Sequence, residues 1–159
     1  MTRWLRRRRE RGSVSIEVAI LAPAFLGMLA LAGVVGRTAV ATQAIEVAAH
    51  DAARAASISR DATTARQAAE RAVRQRLGWE RLSCRNQPGL TFSGTVAGRQ
   101  ESFDAAYDSA VGAEATVSVR VSCLVSFAEL KQYTLPGMPT EKLVSAIFVS
   151  PLDRYRSRG

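Results

Sequence analysis

Few residues in this chain could do chemistry, and their spacing does not indicate catalysis. There is one histidine, His50, beside Asp51, and there are two cysteines, Cys84 and Cys123. Adjacent residues on a helix point in different directions, so His50 and Asp51 do not make a metal site. The sequence contains no nucleotide-binding loop, no Gly-x-Ser-x-Gly elbow and no zinc-protease helix motif. We therefore expect a protein that is not an enzyme, with no catalytic residue, cofactor or metal.

The residue that most needs a chemical explanation is Glu17, at the start of an apolar run. Residues 18–36 carry no charge, and residues 13–36 carry only Glu17. At about 1.5 Å per residue the longer stretch reaches roughly 36 Å, enough to cross a hydrocarbon core of about 30 Å. A carboxylate in lipid is costly unless it is paired or lies near the headgroups. We predict a transmembrane helix over 13–36, kinked by Pro23.

The arginine-rich residues 1–12 predict the orientation of this helix. They carry six Arg against one Glu, a surplus of five in a net charge of +8. Basic flanks stay on the cytoplasmic side of a membrane. We expect a single-pass protein of the bacterial cytoplasmic membrane, with a cytoplasmic leader at 1–12 and the chain from residue 37 outside.

A second basic cluster lies further along the chain. Its members are Arg66, Arg71, Arg74, Arg76, Arg81 and Arg85. Only one aromatic residue, Trp79, lies among these arginines, so we interpret the cluster as a solvated face and do not expect nucleic acid as a partner.

The spacing of Gly12 and Glu17 resembles the processing region of type IV prepilins. Those precursors have a basic leader, a glycine, four small or neutral residues, a glutamate and an unbroken apolar run. The resemblance implies that a membrane-embedded prepilin peptidase cuts between Gly12 and Ser13. The new amine on Ser13 could then pair with the Glu17 carboxylate of a neighbouring subunit, which would satisfy both charges and set the axial offset between subunits. Glu17 is thus predicted to be an assembly carboxylate.

Two other interpretations of the N-terminus stay open. Glu17 could be an interfacial residue of an ordinary anchor that is never cut. The segment could also be a secretory signal peptide cut after the Ala-Leu-Ala at 30–32, although nineteen uncharged residues are long for an apolar core of about 7–15. The mature N-terminus separates the three: Ser13, Met1 or Gly33.

Three stretches resemble the TadE-like proteins, minor pseudopilins of tight-adherence (Flp-type) pilus systems. They are SVSIEVAILAP at 13–23 after Gly12, AAHDAARAAS at 48–57, and KLVSAIFVSPLDRYR at 142–156. Val18 departs from the pattern, since many prepilins have an aromatic residue there. The resemblance implies a membrane-anchored minor pseudopilin of an adhesive pilus, with other pilins or pseudopilins and the pilus assembly platform as partners.

A different function remains open beside this one. The chain could be a single-pass envelope protein, uncut at Gly12, whose exported domain binds a ligand or a surface. Processing at Gly12 discriminates between the two, and whether a pseudopilin of this kind enters the filament is left open.

Beyond the apolar run, small apolar residues recur at three- and four-residue steps, which predicts Ala-rich helices over 37–78. The stripe consists of Ala44, Ala48, Ala52, Ala55, Ala62, Ala65, Ala69 and Val73. Ser59 or Asp61 is expected to cap the second helix, and Gly78 to end it. We interpret the stripe as the face that meets the domain's own sheet and not as a filament seam.

The last part of the chain, 79–159, is predicted to be a disulfide-bearing antiparallel β region. Stretches 90–96 and 115–127 alternate apolar and polar residues, and 143–149 is a third strand candidate. Residues 97–113 are interpreted as a surface excursion. The expected fold is α+β: a transmembrane helix continuing into Ala-rich helices, then a small antiparallel sheet packed on helix.

Cys84 and Cys123 are expected to form a disulfide in this region. An even number of cysteines in an extracytoplasmic domain is typical of paired thiols. The bond would tie the start of the β region to its longest strand. Two unpaired buried thiols are the alternative.

Overall fold

The computed structural model describes residues 7–79, 84–126 and 141–155. The chain divides into two units. One is Met1–Arg37 with Phe127–Thr140, and the other, which we call the C-terminal unit, is Thr38–Ser126 with Glu141–Gly159.

The first element is a long helix, α1, Arg7–Ser57, which is helical through Pro23. From Ala41 to Ala56 one face of α1 is buried, with Ala48, Ala49 and Ala52 fully covered. Small side chains on this face let the helix backbone approach its neighbours closely. The predicted alanine stripe therefore serves the packing of the C-terminal unit itself.

The second helix, α2, Ala62–Trp79, begins where the sequence predicted a cap. The Asp61 carboxylate accepts the backbone N–H of Thr64 at 2.8 Å and the Thr64 hydroxyl at 2.7 Å, which satisfies an orphan donor of the first turn. α2 continues one residue past Gly78, so that glycine does not end it. Its buried residues recur at every fourth position: Ala65, Ala69, Val73 and Leu77.

Four strands form one antiparallel sheet in the order β2-β1-β3-β4. They are β1 Gly89–Val96, β2 Arg99–Glu101, β3 Ala115–Ser126 and β4 Glu141–Pro151. β3 lies between β1 and β4, and its alternate residues Val117, Val119 and Val121 are fully buried. The predicted α+β class, with a long N-terminal apolar helix and a small antiparallel sheet, is confirmed.

The interpretation of residues 97–113 as a surface excursion was wrong. They contain β2 and a short helix, α3, Phe103–Tyr107, capped by the Ser102 hydroxyl, which accepts the N–H of Ala105. Phe103 and Tyr107 are 2% exposed, and the Tyr107 hydroxyl donates to the Ala56 carbonyl of α1 at 2.6 Å. Phe103 also packs on Phe92 of β1, with ring centroids 5.0 Å apart. The helix α3 in this segment is therefore part of the core, whereas β2 is exposed.

Gly94 makes the close packing of α3 on β1 possible. A Cβ at this position would lie 2.7 Å from the Ala106 Cβ and 2.9 Å from the Ser102 carbonyl oxygen. Only a residue without a side chain fits there without moving the backbone.

We expect Gly94→Ala to lower the free energy of unfolding of the C-terminal unit by about 1–3 kcal/mol, because the added methyl overpacks the contact between β1 and α3. Urea unfolding of the detergent-solubilised protein, followed by circular dichroism, measures this loss. Gly78→Ala is the matched control, since nothing lies within 4 Å of a Cβ there. Equal stability of the two variants would contradict the packing described.

Candidate assembly site

The predicted assembly residues lie near the start of α1. The backbone of Gly12 and Ser13 is helical, and the side chain of Glu17 is exposed. Ser13 precedes Glu17 by four residues, which places the two on one helix face about one turn apart. Within the described residues, the Glu17 carboxylate has no ion-pair partner.

The apolar side chains of the same segment are exposed on all sides of the helix. Ten large ones are between 45% and 70% exposed: Ile16, Val18, Ile20, Leu21, Phe25, Leu26, Met28, Leu29, Leu31 and Val35. A helix that is apolar all round is stable when lipid or other helices surround it. In the described part of the chain, one helix, α1, is long and apolar enough to cross a membrane, and its part Ile16–Ser57 includes an 18-residue stretch with a mean hydropathy of 2.4. This fits a single-pass membrane protein.

The glycines of this segment have open space beside their Cα atoms. A Cβ at Gly27, Gly33 or Gly36 would meet nothing within 4 Å. Positions of this kind allow close helix–helix approach in lipid. The kink predicted at Pro23 stays a prediction.

A comparison with protein families finds a relationship for this segment. Residues 12–54 match the family model of the TadE-like proteins. This part of the chain is a TadE-like domain. The resemblance noted from the sequence is thereby confirmed, and the domain suggests a protein associated with the Tad pilus. Searches of curated proteins and of solved structures gave no match.

The TadE-like domain extends beyond the apolar segment into the buried face of α1. There the Asp51 carboxylate accepts hydrogen bonds from Arg76 of α2, at 2.9 Å from Nε and 2.7 Å from Nη2. His50 lies 3.3 Å from Asp51, through Nδ1, and its ring meets Phe148 of β4 edge-on at 4.5 Å. The two adjacent side chains meet, contrary to the expectation that they point apart. The alanine-rich part of the TadE-like domain thus serves as a packing element.

Ion pairs account for most of the predicted basic cluster. Arg66 donates to both oxygens of Asp104, Arg76 binds Asp51, Arg74 lies 3.6 Å from Glu70, and Arg85 pairs with Glu141. Arg81 lies outside the described residues. The Arg74–Glu70 pair lies within α2, and the other three pairs link different parts of the C-terminal unit. The cluster is therefore structural in large part and not a free cationic surface.

The ion pair between α2 and α3 gives the C-terminal unit an acid-sensitive contact. The hydrogen bonds from Arg66 hold the pKa of the Asp104 carboxyl below its ordinary value of 3.8. A carboxyl with a lowered pKa in the folded state stabilises that state above the unfolded pKa, and this contribution is lost as the pH falls through the folded pKa.

We expect thermal stability to fall between about pH 5 and about pH 2, and less steeply in Asp104→Asn than in the wild type. The difference should be small because the pair is exposed to solvent. Asp153→Asn is the control, since that carboxylate lies outside this contact. Parallel pH profiles for Asp104→Asn and the wild type would contradict the assignment.

A disulfide joins Cys84 and Cys123, whose Cα atoms are 5.4 Å apart. Cys84 pairs in an antiparallel bridge with Val125, and the N–H of Arg85 donates to the Leu124 carbonyl at 2.9 Å. The bond thus holds the segment before β1 against the end of β3. Both cysteines of the sequence are used in it.

Sequence reasoning missed a groove in the C-terminal unit. Its volume is about 530 Å³, and it lies between α1 and β4. The lining residues are Glu46, Val47, His50, Ser145, Ala146, Ile147 and Phe148. The uncharged run LVSAIFV was a signal that this strand could offer an unprotected edge. In the described part of the chain, no three His, Cys, Asp or Glu residues are grouped to hold a metal ion.

Proposed function

We propose that the protein is a membrane-anchored minor pseudopilin that takes part in assembling a Tad-type adhesive pilus. The observation that carries the proposal is a TadE-like domain whose apolar helix leaves its side chains outside the fold. Those side chains gain stability from lipid or from the helices of other pilus subunits. The role is structural and needs no catalytic group.

The orientation follows from charge and from redox chemistry. The arginines of 1–12 stay in the cytoplasm, so the C-terminal unit lies outside. The Cys84–Cys123 disulfide supports this orientation, because such bonds persist in oxidising compartments and are rare in the cytoplasm.

Processing by a prepilin peptidase would release the leader by hydrolysis of the Gly12–Ser13 peptide bond. A protease needs an extended backbone at its cutting point, whereas this backbone is helical. Glycine weakens a helix by about 1 kcal/mol relative to alanine, and it lets the active site approach closely. Gly12 thus favours local opening where the cut is made.

After cleavage, the Ser13 amine of one subunit and the Glu17 carboxylate of its neighbour can neutralise each other. Each charge alone is costly beside lipid, so the bundle in which they pair is favoured over the separated helices. The pairing also selects one axial offset, because amine and carboxylate must lie within hydrogen-bond distance.

We expect Glu17→Ala to reduce recruitment into the pilus assembly by about tenfold or more, which corresponds to losing about 1.4 kcal/mol of pairing energy. Co-purification with pilus subunits and the number of pili per cell measure the effect. Glu17→Asp keeps the charge and should retain part of the function. Glu101→Ala, an exposed glutamate on β2, is the matched control. Normal assembly with Glu17→Ala would refute the role of this carboxylate.

A further inference from the structure

The two edges of the sheet differ in how they are protected. At one edge lies β2, which has three exposed residues, Arg99, Gln100 and Glu101. At the other edge lies β4, with eleven residues, and within the described chain its strand partner is β3 alone. Residues 143–150 of β4 carry no charge. Natural sheets protect long edges with charges, prolines or bulges, and this stretch of β4 has none of the first two.

Apolar side chains are exposed on this edge strand. On the outer face of the sheet, Leu143, Ile147 and Val149 are 66%, 50% and 52% exposed. The β3 residues beside these three are Leu124, Arg120 and Ser118, respectively, so most of the exposed apolar stripe lies on β4. Soluble surfaces seldom keep such a stripe on a free strand edge unless it binds a partner.

The groove between α1 and β4 runs along the same edge on the inner face. Residues 145–148 of β4 form one side of the groove, and Glu46, Val47 and His50 form its α1 side. A strand added beside β4 would place alternate side chains in this groove and the others next to the outer apolar stripe. An added strand would therefore find apolar side chains to contact on both faces of the sheet at this edge.

We infer that β4 binds β4 of a second copy of this chain, the two strands lying antiparallel about a two-fold axis through Ala146. In this register all eleven residues find partners. Leu143 lies opposite Val149 on the outer face, and Val144 lies opposite Phe148 on the inner face. A two-fold interface uses the same patch twice, so one uncharged strand is sufficient.

The distribution of charges along β4 is compatible with pairing to β4 of a second copy. With the axis at Ala146, Glu141 lies opposite Pro151 and Lys142 lies opposite Ser150, so no like charges face each other across the pair. The pairing extends the four-stranded sheet across two copies and covers the exposed stripe of each. The inference does not depend on cleavage at Gly12, since β4 belongs to the C-terminal unit.

Cysteine cross-linking of the full-length protein in membranes tests the pairing. Both native cysteines form the internal disulfide, so Ala146→Cys introduces the one free thiol. Oxidation should give a dimer on a non-reducing gel in high yield, because the two introduced thiols face each other at the axis. Leu143→Cys is the matched control, since its copy would lie six residues away, about 20 Å, beyond the reach of a disulfide. The double variant Leu143→Cys/Val149→Cys should restore the dimer.

A charge at the edge provides a second arm of the test. Adding Ile147→Lys to Ala146→Cys should lower the dimer yield about fivefold or more, with the internal disulfide intact as evidence of folding. No dimer from Ala146→Cys, equal yields from Ala146→Cys and Leu143→Cys, or a yield insensitive to Ile147→Lys would each overturn the inference. Contact between the apolar helices alone would produce the second or third result, so it is distinguished from strand pairing.

Discussion

Removal of the disulfide, by Cys84→Ala with Cys123→Ala, should lower the free energy of unfolding of the C-terminal unit by about 4 kcal/mol. The bond closes a loop with a sequence separation of 39, and its loss returns that conformational freedom to the unfolded chain. Small domains are stable by only about 5–15 kcal/mol, so the variant is expected to unfold easily and to be degraded in cells. This loss is a large share of the total stability because the core is rich in alanine, which buries little area and contributes little hydrophobic stabilisation.

Urea unfolding in detergent, followed by circular dichroism, measures this loss, because the apolar helix stays folded in the micelle. Reduction of the wild type should lower its stability by the same amount without any change of sequence. If reduction left the unfolding midpoint unchanged, the disulfide would have no stabilising role.

Gly12→Leu should abolish processing, so that the protein in membranes retains all twelve leader residues. A leucine in place of Gly12 strengthens the helix that must open and puts a side chain where the peptidase backbone approaches. Intact-mass measurement distinguishes the full chain from one that begins at Ser13. Co-expression with and without a prepilin peptidase assigns the cut to that enzyme.

Gly36→Leu is the matched control for this variant, because it makes the same substitution in the same helix at a position with open surroundings. It should be processed like the wild type. Efficient cutting of Gly12→Leu would show that Gly12 is not the recognised residue.

Much of the fold could be predicted because its signals are local. The charge-free run before Arg37, the cap at Asp61 and the alternation of Val117, Val119 and Val121 each depend on near neighbours in the sequence. Of the three stretches that carried the TadE-like resemblance, the family match covers the one at 13–23 and most of the one at 48–57, and it does not reach the one at 142–156.

The missed elements depend on contacts between distant parts of the chain. α3 has five residues, too few to show a helical period, and Tyr107 contacts a carbonyl 51 positions earlier. Gly94 lies within the predicted strand 90–96 and is the point of contact with α3. In each case the reason for the residue type lies in another element.

The order of the strands in the sheet also could not be predicted from the sequence. The stretch 143–149 was predicted as a strand, but its place at an open edge follows from the pairing of β3 with both β1 and β4. The groove beside His50 and Phe148 needs α1 and β4 together. Periodicity along one strand predicts which faces are buried and not which edge is free.

Determination of the mature N-terminus of the wild-type protein, isolated from the membranes of cells that make the pilus, tests the central claim most directly. A pseudopilin whose leader has been removed begins with Ser13, four residues before Glu17. A protein that still begins with Met1, or one that begins with Gly33, would contradict the account and leave a tethered or a released domain in its place.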